Sequence, residues 1–540
     1  MSELEREDIQ GIILRGYEEM DAACLVLLQI TDVDRLREWL KRTSFTNATR
    51  KPVKLRRDRC LNIAFTRPGL DKFDETKGIF EQVSRQFHEG MVGPEDHGKS
   101  EHPEDSPHIH HRQRLLGDIG ESAPYKWVWG YDSDELERGD LGKEIHLLVM
   151  LYAPDEAQLA NLYNKVAGGD VGFKTASPWG GTPGGEASGD EKESGKDFQE
   201  NGMKVVRVLS TRLLPGRKEH FGFRDGIAQP VVKGSGVSGR PDNVIDAGEF
   251  LFGYPNIYQR FPIPPKTKNN NHFGRNGSFL VFRQLSQDVP GFWKFVREQV
   301  TGDVQQGTWL ASKMVGRWPS GAPMVLAPFS DNPALQDEDG FGFYDIDRYG
   351  FRCPFGSHMR RTNPRDSFPG ASEKSSVHGR HHRIIRRGRA YGPPLAGQDF
   401  IKGNGTTICP EKAWGNKWGA KDTVVDNNPG ELVRGLHFMC FNANIARQFE
   451  SIQSAWIMSP KFGGLSEDPD PIMGDHSASK NVVDPLPGSP FRPKWPSGHF
   501  TIQQEPVQRR LDGLKRFVHV RGGAYFFMPG IRALRYLAGI

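Results

Sequence analysis

Hydrophobic positions along this chain fall into runs and alternations that read as strands and helices in a recurring order. Residues 22–30 (AACLVLLQI) are apolar but for one glutamine, the pattern of a strand buried on both faces. Residues 31–40 then carry Val33, Leu36 and Leu40 on one helical face. Two further strands are expected at 61–66 and 145–153. Leu159, Leu162 and Val166 mark a second amphipathic helix, and 205–214 a fourth strand.

A second pass of the same kind starts with a strand at 278–285 (SFLVFRQL), continues through a helix containing Trp293 and Val296, and resumes with a strand at 436–441. Ile445, Phe449, Ile452 and Trp456 recur at helical spacing, and 525–528 supplies a late strand. The order in the first half is β-α-β-β-α-β, that of a ferredoxin-like unit. The pattern therefore predicts an α+β protein of two ferredoxin-like domains with antiparallel sheets, residues 1–215 and 216–540, similar in order of elements and not as a sequence repeat. Three polar stretches, 93–112, 175–201 and 392–430, interrupt the plan as surface insertions.

Composition narrows the function classes. The chain has 540 residues, 36% of them hydrophobic, enough for two or three well-filled cores. Lysine and arginine (71) exceed aspartate and glutamate (67) by only four, so no basic excess invites nucleic acid. The five cysteines, Cys24, Cys60, Cys353, Cys409 and Cys440, are odd in number and far apart, which fits neither a disulfide framework nor a CxxC metal site. With an acidic N-terminus (MSELERED) and no apolar run of membrane-spanning length, the expectation is a cytoplasmic protein with no membrane partner.

Chemistry concentrates in three segments. CPFGSHMRRTNPR, residues 353–365, sets one histidine, His358, among Arg360, Arg361 and Arg365. An imidazole can coordinate iron, and guanidinium groups pair with carboxylates such as haem propionates. GFRDG at 222–226 holds Asp225 between glycines that allow a tight turn, and RRG at 386–388 offers the cation Arg386. Each has a bland counterpart: a loop histidine, an Asp-Gly turn, a basic surface.

Together the three segments, with HFGFRDGIAQP at 220–230, resemble the dye-decolourising peroxidase family of haem proteins. Further matches run from IQG (9–11) through AGEFLFGY (247–254) and NGSFLVFRQL (276–285) to GGAYFFMPG (522–530). The resemblance implies haem b (iron protoporphyrin IX) held mainly by the C-terminal domain of a dimeric α+β barrel. It implies His358 as the iron ligand, Asp225 as the catalytic base and Arg386 as the distal cation. Leu436 and Phe438, in RGLHFMCF (434–441), would line the distal pocket, while His437 stands where the family commonly has leucine. Asp470, in DPIMG, is the candidate carboxylate for the second ring nitrogen of His358, with Asp468 and Asp475 as competitors. The reaction implied is reduction of hydrogen peroxide, through a ferryl porphyrin-radical intermediate, with oxidation of organic donors such as dyes and phenols. A homo-oligomer is compatible with it.

Two other readings compete. A haem carrier, sensor or iron-releasing protein would need His358 without an aligned Asp225 and Arg386. His108, His110 and His111 in SPHIHHR suggest a zinc cluster, but the segment is polar, lacks a cysteine partner and sits in an insertion, so a solvated loop is expected. Trp127 and Trp129 (YKWVWG) are placed to share a strand face.

Overall fold

The computed structural model describes residues 3–49, 59–79, 83–93, 107–131, 144–169, 198–300, 304–367, 378–392, 434–476 and 498–540. Nine strands form its main sheet: β1 (Ala22–Ile30), β2 (Cys60–Phe65), β3 (Leu147–Ala153), β4 (Met203–Arg212), β5 (Ser278–Gln287), β6 (Ile385–Arg386), β7 (Arg389–Tyr391), β8 (Gly435–Asn442) and β9 (Val518–Met528). Their order is β5-β9-β2-β3-β1-β4-β7-β8-β6, and a further pairing of β5 with β8 closes the sheet into a barrel. Each half contributes four positions in the order of a ferredoxin-like sheet, β2-β3-β1-β4 and β9-β5-β8-β7. The halves join at two narrow seams, Phe65 opposite Phe527 and Arg212 opposite Ala390.

The uninterrupted apolar run of β1 has a direct cause. Ala23, Leu25 and Leu27 point into the barrel with Met150, Phe282, Met439 and Phe526, while Cys24, Val26 and Leu28 point out beneath the helices. The helix expected at 31–40 is α1 (Val33–Arg42), started by Asp32, whose Oδ1 accepts the Arg35 N–H at 3.0 Å. Further helices used below are α2 (Pro107–Leu116), α3 (Glu156–Ala167), α4 (Val289–Glu298), α5 (Val304–Val315) and α6 (His358–Thr362). The helical spacing seen from Ile445 to Trp456 is realised as two wide π-type turns, Ala446–Glu450 and Ile452–Ile457.

Other expectations change. The histidine-bearing segment SPHIHHR enters α2 and is not a loop; the side chains of residues 107–110 lie outside the described residues. Among the described residues no group of three or more His, Cys, Asp or Glu could hold a metal ion. Most of the insertions at 175–201 and 392–430 also lie outside them. Trp127 and Trp129 do not share a face: Trp129 belongs to the barrel interior and Trp127 to the outer core, and their indole N–H groups donate to Gln284 Oε1 (2.7 Å) and Ser122 O (2.9 Å). Among the described residues no helix is long and apolar enough to cross a membrane.

On the outer face of β5, Arg283 donates to Asp118; both side chains are only 1% exposed. Removing one partner of such a pair leaves a buried charge uncompensated. Asp118→Ala is therefore expected to lower stability by about 3–5 kcal/mol, read as a fall in the urea midpoint at constant m.

Candidate active site

The outer face of the second half carries a cavity, and the site is assembled around it from distant segments. Part of its wall is α6. Asp347 receives the backbone N–H groups of Arg352 (2.9 Å) and Cys353 (2.8 Å) and Nη1 of Arg360 (3.0 Å), so the turn before α6 is fixed around one carboxylate. Arg360 Nη1 also donates to Cys353 O at 2.7 Å. Arg361 donates to the carbonyls of Gly356, Trp456, Ser459 and Asp468, binding α6 to the π-type turns and the segment after them.

These clamps present His358 at the start of α6 with its side chain 31% exposed, toward the cavity. Its Nδ1 lies 2.8 Å from Asp470 Oδ2, and Asp470 is fully buried. The other oxygen, Oδ1, accepts the N–H groups of Ile472 and Met473, both at 2.9 Å. A carboxylate held on both oxygens favours the Nδ1–H tautomer, which leaves the lone pair of Nε2 for the cavity. Burial disfavours the charged ring, but the Asp470 charge and hydrogen bond outweigh it and hold the imidazole above its ordinary pKa. Of the three candidate carboxylates, Asp470 makes this contact; Asp468 instead receives Arg361 through its carbonyl.

Asp225 and Arg386 line the same cavity. Gly222 (φ 98°) and Gly226 (φ 82°) lie in the left-handed region, where a side chain would be strained, and they turn the chain sharply around Asp225. Arg386 is set by β6, paired with Cys440 of β8, and its backbone N–H donates to Gln229 Oε1 at 3.0 Å. Its guanidinium donates through Nη1 to Asp225 Oδ1 (3.0 Å) and through Nη2 to Ile227 O (2.8 Å). About a third of each side chain remains exposed, 36% for Asp225 and 34% for Arg386, and both line the cavity. Burial alone would raise the Asp225 pKa. The Arg386 charge, the Gly226 N–H and the more distant His358 outweigh it and hold the carboxyl below the usual range.

Leu436 and Phe438 of β8 line the same cavity beside Phe223, Leu285 and Val518, with Met359, Ile457, Ile472 and Met473 also in its wall. His437 points the other way, as strand alternation requires. Its ring stacks on Tyr391 at 4.5 Å, and burial pushes its pKa down to about 3, so it is a neutral group behind the wall.

The arginines of the histidine segment are not brought to the cavity. Arg360 and Arg361 are buried in the clamps described above, and Arg365 lies in a neighbouring cleft, donating to Asp339 and Phe341. The cations that do line the cavity besides Arg386 include Arg317 and Arg383, with Asn363 nearby in the wall. Arg317 Nη1 holds Gly321 O (2.7 Å) and Glu338 O (2.9 Å), while its Nη2 is buried without a hydrogen-bond partner. Arg383 Nη2 holds Ala228 O (2.9 Å) and Asn243 Oδ1 (2.8 Å). Sequence gave no signal for Arg317, and Arg383 was hidden in a run that reads as basic surface.

No protein-family model matches the chain. Among curated proteins it is 30% identical over 350 residues to dye-decolorizing peroxidase msp1 of Mycetinis scorodonius, covering 62% of this chain and 60% of that one. It is 31% identical over 349 residues to a dye-decolorizing peroxidase of Auricularia auricula-judae, covering 60% and 58%. The alignments thus span about three fifths of the length of these relatives. Among solved structures, the crystal structure of the fungal DyP-type peroxidase from Auricularia auricula-judae superposes with a TM-score of 0.68 at 22% identity, covering all of both chains. The chain is thus similar in sequence, over about three fifths of its length, to dye-decolorizing peroxidases, and over its whole length it shares the fold of a DyP-type peroxidase.

Proposed function

We propose that the protein is a haem peroxidase that reduces hydrogen peroxide and oxidises organic donors such as dyes and phenols. The observation that carries this reading is that an imidazole backed by a buried carboxylate and an Asp-Arg pair open onto one cavity, near enough to influence each other's ionisation.

The residues present fit haem b. His358 offers Nε2 as an iron ligand, and Asp470 raises its basicity through Nδ1. The apolar walls suit a macrocycle. Arg317, with one buried donor unfilled, and Arg383 are cations suited to its carboxylates. When bound, haem supplies an iron centre able to accept two electrons' worth of oxidation from a peroxide and return them to donors one at a time.

The chain's own part is proton transfer and charge stabilisation. Ionised Asp225, with Oδ1 engaged by Arg386 and Oδ2 left free by it, accepts a proton from the near oxygen of hydrogen peroxide and returns it to the far one. Arg386 holds Asp225 in place through Nη1 and Ile227 O through Nη2, and its charge stabilises the departing hydroxide until it leaves as water. The apolar side chains of Phe223, Leu436 and Phe438 keep bulk water from competing.

The test is to titrate the purified protein with haem, record its absorption, and mix it rapidly with one equivalent of hydrogen peroxide. Tight binding followed by rapid change of the Soret band, and then bleaching of a phenolic dye, is expected. Stable haem binding without that change would move the protein to the carrier or sensor class, and no haem binding would overturn the assignment of His358.

A further inference from the structure

The loop that presents Asp225 is held by a second carboxylate that the proton transfer above does not use. Glu219 lies six residues earlier and lines the same cavity. Its Oε2 accepts the Phe221 N–H at 2.8 Å and Gln287 Nε2 at 2.7 Å, and its Oε1 accepts the Phe223 N–H at 2.9 Å. Its own backbone N–H donates to Phe223 O, and its carbonyl accepts the Gly222 N–H, each at 2.9 Å. Gln287 is the last residue of β5, so the loop is referred to the barrel rather than only to itself. Asp225 completes the turn by donating its N–H to Arg217 O at 2.9 Å.

A carboxylate removed from water is a costly brace unless its oxygens are filled. Here three N–H donors fill them, which is a defined geometry and not general polarity. Burial pushes the Glu219 carboxyl up, to about 7, against those donors, and the like charge of Asp225 acts in the same direction. The two carboxylates are thus close enough to sense each other, but Arg386 contacts Asp225 alone.

We propose that Glu219 is a positioning residue for Asp225: by fixing residues 221–223 to the end of β5 it sets where the Asp225 carboxylate meets Arg386 and the peroxide. This rests on the peroxidase reading.

The experiment is a double-mutant cycle on the haem-loaded protein, with Glu219→Gln, Asp225→Asn and the combination. Each is followed by the second-order rate with hydrogen peroxide, haem affinity and thermal midpoint. Glutamine puts an amide NH2 where a backbone or Gln287 N–H now points, displacing the loop. In the otherwise native protein the rate should fall by about 10- to 100-fold, the upper figure being the cost of misplacing a reacting group by about 1 Å, with haem affinity unchanged. In the Asp225→Asn background the same substitution should change the rate by less than about twofold, because its target is gone. Equal losses in both backgrounds, or no loss in either, would overturn the proposal. Should Glu219→Gln fail to fold, Gln287→Leu removes one donor and keeps both loop N–H bonds, and the cycle is read in the same way. A wild-type protein that binds haem but ignores peroxide would overturn the peroxidase reading, and this inference with it.

Discussion

The Asp225→Asn protein should bind haem as tightly as wild type yet react with hydrogen peroxide about 10²- to 10⁴-fold more slowly, the usual contribution of a positioned general base. Asparagine keeps the shape and can still accept from Arg386 Nη1, but it has no oxygen basic enough to take the peroxide proton. Stopped-flow mixing with excess peroxide gives the rate directly. The pH profile supplies an independent check. A base acts only when ionised, and Asp225 is held below the ordinary carboxylate range by Arg386, the Gly226 N–H and His358 against the opposing effect of burial. The limb belonging to Asp225 must therefore lie below the ordinary aspartate range, and the rate should survive well into acid. A step near neutrality, where Glu219 titrates, would belong to the loop brace and should vanish in Glu219→Gln. A rate that appears only above neutral pH in both proteins would show that another group is the base.

Replacing His358 by alanine should weaken haem binding by more than about 100-fold, since loss of a hydrogen-bonding partner behind a metal-bound histidine already costs about 10- to 100-fold. The substitution removes an imidazole whose other nitrogen meets a fully buried carboxylate, so Asp470 is left with its two backbone donors and no ring. Added imidazole should restore both affinity and the Soret band, because the space it would occupy still faces Asp470. The readout is a haem titration with and without imidazole. An unchanged affinity for His358→Ala would show that iron is held elsewhere.

Much of the barrel was legible because its strands carry their burial in their composition. The run at 22–30 could hardly be anything but a strand covered on both sides, and it became β1. The short β6 and β7 were not legible: the three residues of Arg389–Tyr391 and the two of Ile385–Arg386 sit in an arginine-rich stretch, and only pairing with β8 makes them strands. The site shows the same division. Short motifs singled out His358, Asp225 and Arg386, and the fold brings all three to one cavity. The direction of a charge was not. Arg360 is two residues after His358 on a helix, about 200° around its axis, and so faces Asp347 while His358 faces the cavity. Arg317 and Arg383 reach the cavity only because the turn after α5 and the segment before β6 converge on it, a long-range outcome that no local pattern records.

The two seams of the barrel bear on how the molecule is made. Phe65 pairs with Phe527, more than four hundred positions later, and Arg212 with Ala390. While the ribosome has delivered only the first four strands, β2 and β4 are open edges, templates for the wrong neighbour. Closure has to wait for β9, so such long-range pairing makes assembly slow and leaves the nascent chain exposed to aggregation. Asp225, His358, Arg386 and Asp470 all lie between Phe65 and Phe527 in sequence, and the wall formed by Val518 arrives last. A finished pocket is thus a late product of synthesis, complete only once the circle is closed.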